Sequence, residues 1–295
     1  MKEFNIKGTG VALITPFDRQ SNVDFTSFGR LINHVIEGGV DYLVCLGTTS
    51  EYPTLTDKEM LAIKEFTIET VDNRVPIVLG IGSNDTRDLI NHITKFDYSG
   101  ISAVLSVAPY YNKPSQKGLF EHFRLVAGSC PLPVIIYNVP GRTGSNLTAE
   151  TTLKLAEECK NIIGIKEASG NMAQCMEILR RKPKGFELIS GEDALTLPLM
   201  SCGAKGVISV TANAFPYYVS EMVNLALKDN CRKASVLHNK LLPFTNAVFE
   251  EGNPCGIKAA LEIMGISQSV VRMPLAKVSK PLYNKIQSII KEINA

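Results

Sequence analysis

Eight short runs of apolar, largely β-branched residues recur along this 295-residue chain, each separated from the next by a stretch of helical periodicity. They are Gly10–Thr15, Tyr42–Gly47, Pro76–Gly82, Ser102–Ala108, Val134–Asn138, Ile162–Lys166, Phe186–Ser190 and Gly206–Val210. Segments such as VALIT, YLVCL, PIVLGI and IIGI are apolar without alternation. Continuous apolarity requires burial on both faces, which a parallel sheet covered by helices provides. The runs start every 20 to 35 residues, the length of a strand-turn-helix unit.

The segments between them carry helix signals. Asp24 stands before FTSFGRLINHVIEGG, which ends in a Gly pair. Thr56 precedes a helix with Glu59 three residues on, the pattern of a capping box. Further helices are expected at Thr86–Phe96, Gln116–Ala127, Ala149–Cys159, Met172–Arg181, Ala194–Ser201 and Pro216–Lys228. Eight such units close naturally into an α/β fold, the (β/α)8 TIM barrel. A doubly wound open sheet would need a Gly-rich phosphate fingerprint after its first strand. Gly8-Thr9-Gly10 precedes that run, and Gly80-Ile81-Gly82-Ser83 has no third glycine in place. The expected division is a catalytic barrel over residues 1–229 and a C-terminal helical subdomain over 230–295. The latter reads as three helices, Arg232–Val248, Cys255–Met264 and Lys277–Asn294, punctuated by Asn253-Pro254 and Met273-Pro274. It either packs on the barrel or supports oligomerisation.

Charge and composition exclude several classes. Lys and Arg total 31 against 29 Asp and Glu, a net charge of +2 without a basic arm, so nucleic acid is not an expected partner. No stretch reaches the length of a membrane span, and the N-terminus lacks a signal-peptide shape. Seven cysteines without a CxxC pair, and four histidines without ligand spacing, suggest buried free thiols in a cytoplasmic protein with no metal. The Asn-x-Thr triplets at Asn84 and Asn146 are then chance matches.

In a barrel the chemistry gathers where the strands run into the following loops. Those ends carry Gly47-Thr48-Thr49-Ser50-Glu51, Pro109-Tyr110-Tyr111-Asn112, Tyr137-Asn138, Lys166-Glu167, Ser190-Gly191-Glu192-Asp193, and Ser209 with Thr211. Lys166 interrupts an apolar strand. Buried in a barrel, its ammonium form is disfavoured, and a neutral amine attacks carbonyls to form a Schiff base. The competing reading is a lysine that snorkels to solvent or pairs with Glu167. Arg142, in a Gly-flanked loop, is either a clamp for a substrate carboxylate or a surface arginine. Tyr137 is a general acid/base candidate with Thr48 and a second tyrosine as relay, or else a packed aromatic. The Tyr110-Tyr111 pair is equally open between catalysis and a subunit contact.

Four motifs, in order, resemble the dihydrodipicolinate synthases of the class I aldolase superfamily, which also holds N-acetylneuraminate lyase. They are Gly47-Thr48-Thr49-x-Glu51, Pro109-Tyr110-Tyr111-Asn112-x-Pro114, Tyr137-Asn138-Val139-Pro140-x-Arg142-Thr143-Gly144 and Gly164-Ile165-Lys166-Glu167. The resemblance runs from about Gly8 through the helical tail. It implies condensation of pyruvate with L-aspartate 4-semialdehyde, the committed step toward diaminopimelate and lysine, with no external cofactor. It implies that Lys166 forms the imine with pyruvate, that Tyr137 is the general acid/base, and that Thr48 relays protons with a Tyr111 inserted from a neighbouring subunit. Thr49 is then the pyruvate-carboxylate ligand, with Gly191 and the backbone of Ile208 beside the same substrate. Arg142 meets the carboxylate of the semialdehyde. The family pattern also implies a homotetramer built from tight dimers.

Departures from the pattern fall at Ser50, where the family has Gly, and around the family's lysine-inhibition site. There Tyr52-Pro53 replace small residues and Asp57 replaces a basic one, whereas Asn84, Asp88 and Tyr110 match lysine contacts. Two other readings stand beside the synthase. One is a Schiff-base lyase of keto-sugar acids, disfavoured by Arg142. The other is a non-catalytic pyruvate or lysine sensor, which would have no use for a proton relay.

Overall fold

Burial on both faces becomes a closed ring of strands. The computed structural model describes residues 4–295. Strands β1 (Gly8–Ala12), β2 (Tyr42–Cys45), β3 (Ile77–Ile81), β4 (Ala103–Val107), β5 (Val134–Asn138), β6 (Ile162–Glu167), β7 (Glu187–Ser190) and β8 (Gly206–Ser209) pair in sequence order, all parallel. β8 closes onto β1, so the fold is the (β/α)8 barrel and not the open sheet. Alternate strand residues supply two apolar layers. Ala12, Val44, Val78, Leu105, Ile135 and Ile189 pack inside the ring. Val11, Leu43, Leu79, Val104 and Ile136 join Phe28, Leu31 and Phe123 in the layer under the helices. This is why the strand sequences show no polar alternation.

β1 begins earlier than the apolar run suggests. Gly8-Thr9-Gly10 belong to the strand and pair with Gly206, Val207 and Ile208. Gly10 is needed by close approach, since a Cβ there would lie 2.2 Å from the buried ring of Tyr42.

The helices are α1 (Phe25–Glu37), α2 (Asp57–Val71), α3 (Thr86–Lys95), α4 (Gln116–Ser129), the single turn α5 (Pro140–Thr143), α6 (Ala149–Glu158), α7 (Met172–Arg181), α8 (Thr196–Ser201) and α9 (Pro216–Leu227). Asp24 caps α1 by accepting from the Ser27 amide, and the capping box of Thr56 with Glu59 starts α2. The helix expected from Ala194 splits into a tight turn, Asp193–Leu195, followed by α8. Pro198 has no N–H to close onto Ala194, and the Asp193 carboxylate is held instead by the Val210 and Thr211 amides.

Beyond the barrel lie α10 (Cys231–Phe249), α11 (Cys255–Ile263) and α12 (Lys280–Asn294). α10 packs on α9, α11 and α12. α12 starts at Lys280 rather than Lys277, because Ser279 caps it and is itself fixed by the Glu251 carboxylate. The expectation of buried thiols needs correction. Cys202 is exposed and Cys231 half-buried, while the other five free cysteines are buried. Among the described residues no helix is long and apolar enough to cross a membrane.

Candidate active site

Neighbouring residues in a strand point to opposite faces, and this separates Lys166 from Glu167. Glu167 turns outward, accepting from Asn138 Nδ2 (3.0 Å), Gln174 Nε2 (2.9 Å) and the Ser169 amide (2.8 Å). Lys166 turns into the barrel, 5% exposed, with its Nζ 4.2 Å from the centre of the Tyr137 ring. The register places Tyr137 directly beside Lys166 and Asn138 beside Glu167. The Lys166–Glu167 pair considered from the sequence does not form, and neither does a snorkelling lysine.

Burial disfavours the charged ammonium and pushes Lys166 down to about 8. The Asp193 and Glu192 carboxylates oppose this, and the Arg142 guanidinium adds to it. Burial also pushes the Tyr137 phenol up to about 12, offset in part by Arg142 and by the Thr48 hydroxyl facing it. Tyr137 therefore holds its proton at neutral pH. Desolvation raises both acidic neighbours, Glu192 and Asp193.

Lys166 and Tyr137 line a solvent-open cavity, together with Thr48, Thr49, Tyr52 and Gly82. The two threonines come from a tight turn that follows β2, at the C-terminal end of the barrel. Ser50 fits that turn without strain: its hydroxyl donates to the Gly47 carbonyl at 2.6 Å. Thr49 is buried, and its Oγ1 accepts from Asn253 Nδ2 at 2.9 Å. Gly191 abuts the lysine stem, where a Cβ would stand 3.1 Å from Lys166 Cε and 2.6 Å from Ala168 Cβ. Ile208 faces inward on β8, buried.

Arg142 sits in the single-turn helix α5, not in an open loop, and its Nη2 donates to the Asn253 carbonyl at 3.0 Å. Tyr111 stands apart from the cavity. Its side chain is 86% exposed, carried on a left-handed backbone (φ 72°) whose amide donates to the Thr143 carbonyl. Within one chain, then, Lys166, Tyr137, Thr48 and Thr49 are brought together and Tyr111 is not.

The residues matched to lysine contacts gather near the same mouth. The Tyr52 phenol donates to the Gly82 carbonyl, and its deprotonation is disfavoured by burial, then by Tyr110 and Asp88. Tyr52 thus lines the cavity and is within electrostatic reach of both residues. The Asn84 carbonyl accepts from Asn112, and Asp88 is exposed in the first turn of α3. Pro53 and Asp57 are exposed.

Three participants escaped sequence reasoning. Asn253 looked like punctuation before a proline. Asp193 stands among the strand-end residues without a role read for it, yet it is buried and accepts from Ser209, Val210 and Thr211. The third is an ion pair, Lys258 Nζ to Glu51 Oε1 at 2.5 Å, with both side chains buried. A signal existed for it: Lys258 interrupts the apolar CGIKAAL as Lys166 interrupts its strand. Glu51 also accepts from the Arg272 amide (2.9 Å), so the C-terminal segment grips the turn that carries Thr48 and Thr49.

A family model described as the Dihydrodipicolinate synthetase family matches residues 5–293. The chain belongs to that family. It is accordingly an enzyme, a lyase of the Schiff-base aldolase type. A relative from Parabacteroides distasonis, a 4-hydroxy-tetrahydrodipicolinate synthase, is 46% identical over 294 residues, covering 100% of this chain and 99% of its own. The solved structure of the 4-hydroxy-tetrahydrodipicolinate synthase from Methylacidiphilum fumariolicum SolV is 39% identical with a TM-score of 0.95, covering 98% of this chain and 96% of that one. A dihydrodipicolinate synthase from Acinetobacter baumannii, described as chloride-inhibited and complexed with pyruvate, is 36% identical with a TM-score of 0.95, covering 98% and 99% of the two chains. The shared family and the inward lysine agree on one class of chemistry.

Proposed function

We propose that this member of the family condenses pyruvate with L-aspartate 4-semialdehyde through a Schiff base on Lys166, supplying 4-hydroxy-tetrahydrodipicolinate to diaminopimelate and lysine biosynthesis. The observation that carries this reading is the buried Lys166 amine, shifted down to about 8, lying against a protonated Tyr137.

The neutral amine attacks pyruvate C2, and the carbinolamine loses water to give the imine. Tyr137, a phenol that keeps its proton, donates to the departing hydroxide. The imine withdraws electrons from the adjacent methyl, which loses a proton to give the enamine. That carbon attacks the aldehyde of the second substrate, and the new alkoxide takes a proton. The amine of the product then displaces Lys166 and closes the ring. Thr48, facing the Tyr137 hydroxyl, passes protons outward.

Thr49 receives the pyruvate carboxylate, with Gly191 and Ile208 shaping the same pocket, and Arg142 receives the carboxylate of the semialdehyde. The exposed Tyr111 completes the relay in a neighbouring subunit, which makes the working unit at least a dimer and, in the family's form, a homotetramer. The setting is cytoplasmic. Asn84, Asp88 and Tyr110 are the candidate contacts for a lysine effector.

The test is mass spectrometry after borohydride reduction in the presence of pyruvate. A pyruvate-sized adduct on Lys166, absent in Lys166→Ala, is the expected result. Folded protein without an adduct would remove the Schiff-base mechanism.

A further inference from the structure

We propose that Asn253 is a positioning residue that aims the Thr49 hydroxyl and the Arg142 guanidinium together, so that the C-terminal segment sets the affinity for both substrates. The proposal rests on the carboxylate-binding roles just assigned to those two residues.

Asn253 lies between α10 and α11, 204 residues from Thr49 in sequence, and is 7% exposed. Its side-chain N–H donates to Thr49 Oγ1 and its backbone carbonyl accepts from Arg142 Nη2. One residue therefore touches both groups. The bond to Thr49 has a direction. Because the hydroxyl oxygen accepts from Asn253, the hydroxyl proton is left to be donated elsewhere, and it meets no acceptor among the described residues. A hydroxyl held as a donor suits an incoming carboxylate. Arg142 spends one of its five N–H groups on Asn253 and keeps a fork for an anion.

The amide does this at a loss to itself. Asn253 Oδ1 is buried without a donor, a feature that folding alone does not reward. The other grips of the tail on this stretch run through Glu51, the Thr54 carbonyl and, in α2, Glu59, none of which lines the cavity.

The experiment compares full-length Asn253→Asp and Asn253→Ala with Thr49→Val, and with the Thr49→Val/Asn253→Ala double variant. Asn253→Asp keeps the shape but replaces the donor with an acceptor, turning the Thr49 proton inward. We expect KM for pyruvate to rise about tenfold, the size of a lost hydrogen bond to a charged group. KM for the semialdehyde stays within twofold, because its Arg142 site is held by the Asn253 backbone carbonyl that every variant keeps; kcat changes less than the pyruvate KM, and saturating pyruvate with borohydride still labels Lys166. In the Thr49→Val background, Asn253→Ala adds little further to the pyruvate KM, the non-additivity of residues acting through one another. A merely structural role would lower the thermal midpoint and leave the pyruvate KM within twofold, would raise both KM values alike, or would add its full effect in the double variant; any of these results overturns the proposal. If Thr49→Val and Arg142→Ala themselves leave KM unchanged, the assignment of the carboxylate sites fails, and this inference with it. Should Asn253→Asp not fold, Asn253→Ala removes the same donor and carries the comparison.

Discussion

A lysine shifted to about 8 has roughly a tenth of its amine neutral at pH 7, against a few hundredths of a percent for an ordinary lysine. Deprotonation creates the nucleophile, so imine formation should rise with pH up to about 8 and level off above it. Rapid quenching with borohydride across pH 6 to 10 measures that curve. The Glu192 carboxylate favours the ammonium form, so Glu192→Gln should move the rise to lower pH. An unmoved curve would mean that solvent screens Glu192 from the amine. Gly191→Ala tests the space around the same stem. Its Cβ would press on Ala168 and on Lys166 Cε, so pyruvate labelling should fall sharply, and the thermal midpoint should fall as well because the buried Ala168 Cβ cannot yield without its backbone.

Strands and helix ends act at the next scale. β5 and β6 each send one residue inward and the next outward, and their register sets Tyr137 beside Lys166. Apart from the single turn α5, which carries Arg142, the helices hold the loops in place. Thr56 caps α2 just after the turn bearing Thr48 and Thr49, and its box with Glu59 satisfies two backbone donors. Thr56→Ala should cost about 1 kcal/mol, read from a lower urea midpoint, with substrate KM values unaffected. A large change in KM would instead place the cap within the reach of the site. The Gly-flanked segment around Arg142 forms the single turn α5, anchored by Pro140 at its start and a left-handed Gly144 at its end.

Across the whole molecule, the tail and the barrel meet through charges taken out of water. Burial draws Lys258 down to about 8, with the Glu51 carboxylate opposing. Lys258→Met strands that carboxylate and should destabilise the protein by about 3–5 kcal/mol, whereas Glu51→Gln with Lys258→Met should recover most of the loss. Chemical denaturation of the two variants separates these outcomes. Tyr111 is exposed, and the proposed relay takes it from a neighbouring subunit. Tyr111→Phe should slow turnover while pyruvate still labels Lys166, and unchanged turnover would remove it from the relay.

Reading the chain shows where legibility ends. The eight apolar runs, the caps at Asp24 and Thr56, and the anomalous Lys166 are local signals, because strand burial, helix termini and a charge in an apolar strand each leave a mark within a few residues. The start of β1 at Gly8 was hidden, since glycines carry no hydrophobic mark and only the pairing with β8 makes them strand. Whether Lys166 faces Tyr137 or Glu167 depends on which strand face is interior, and ring closure decides that. The same holds for Asn253 reaching Thr49 and for Lys258 reaching Glu51, pairs separated by about two hundred residues. Sequence by itself determined the barrel and singled out Lys166. Only the tertiary structure decided which side chains share that lysine's cavity and which tail residues brace it, because contacts between distant segments arise from packing and leave no periodicity to read.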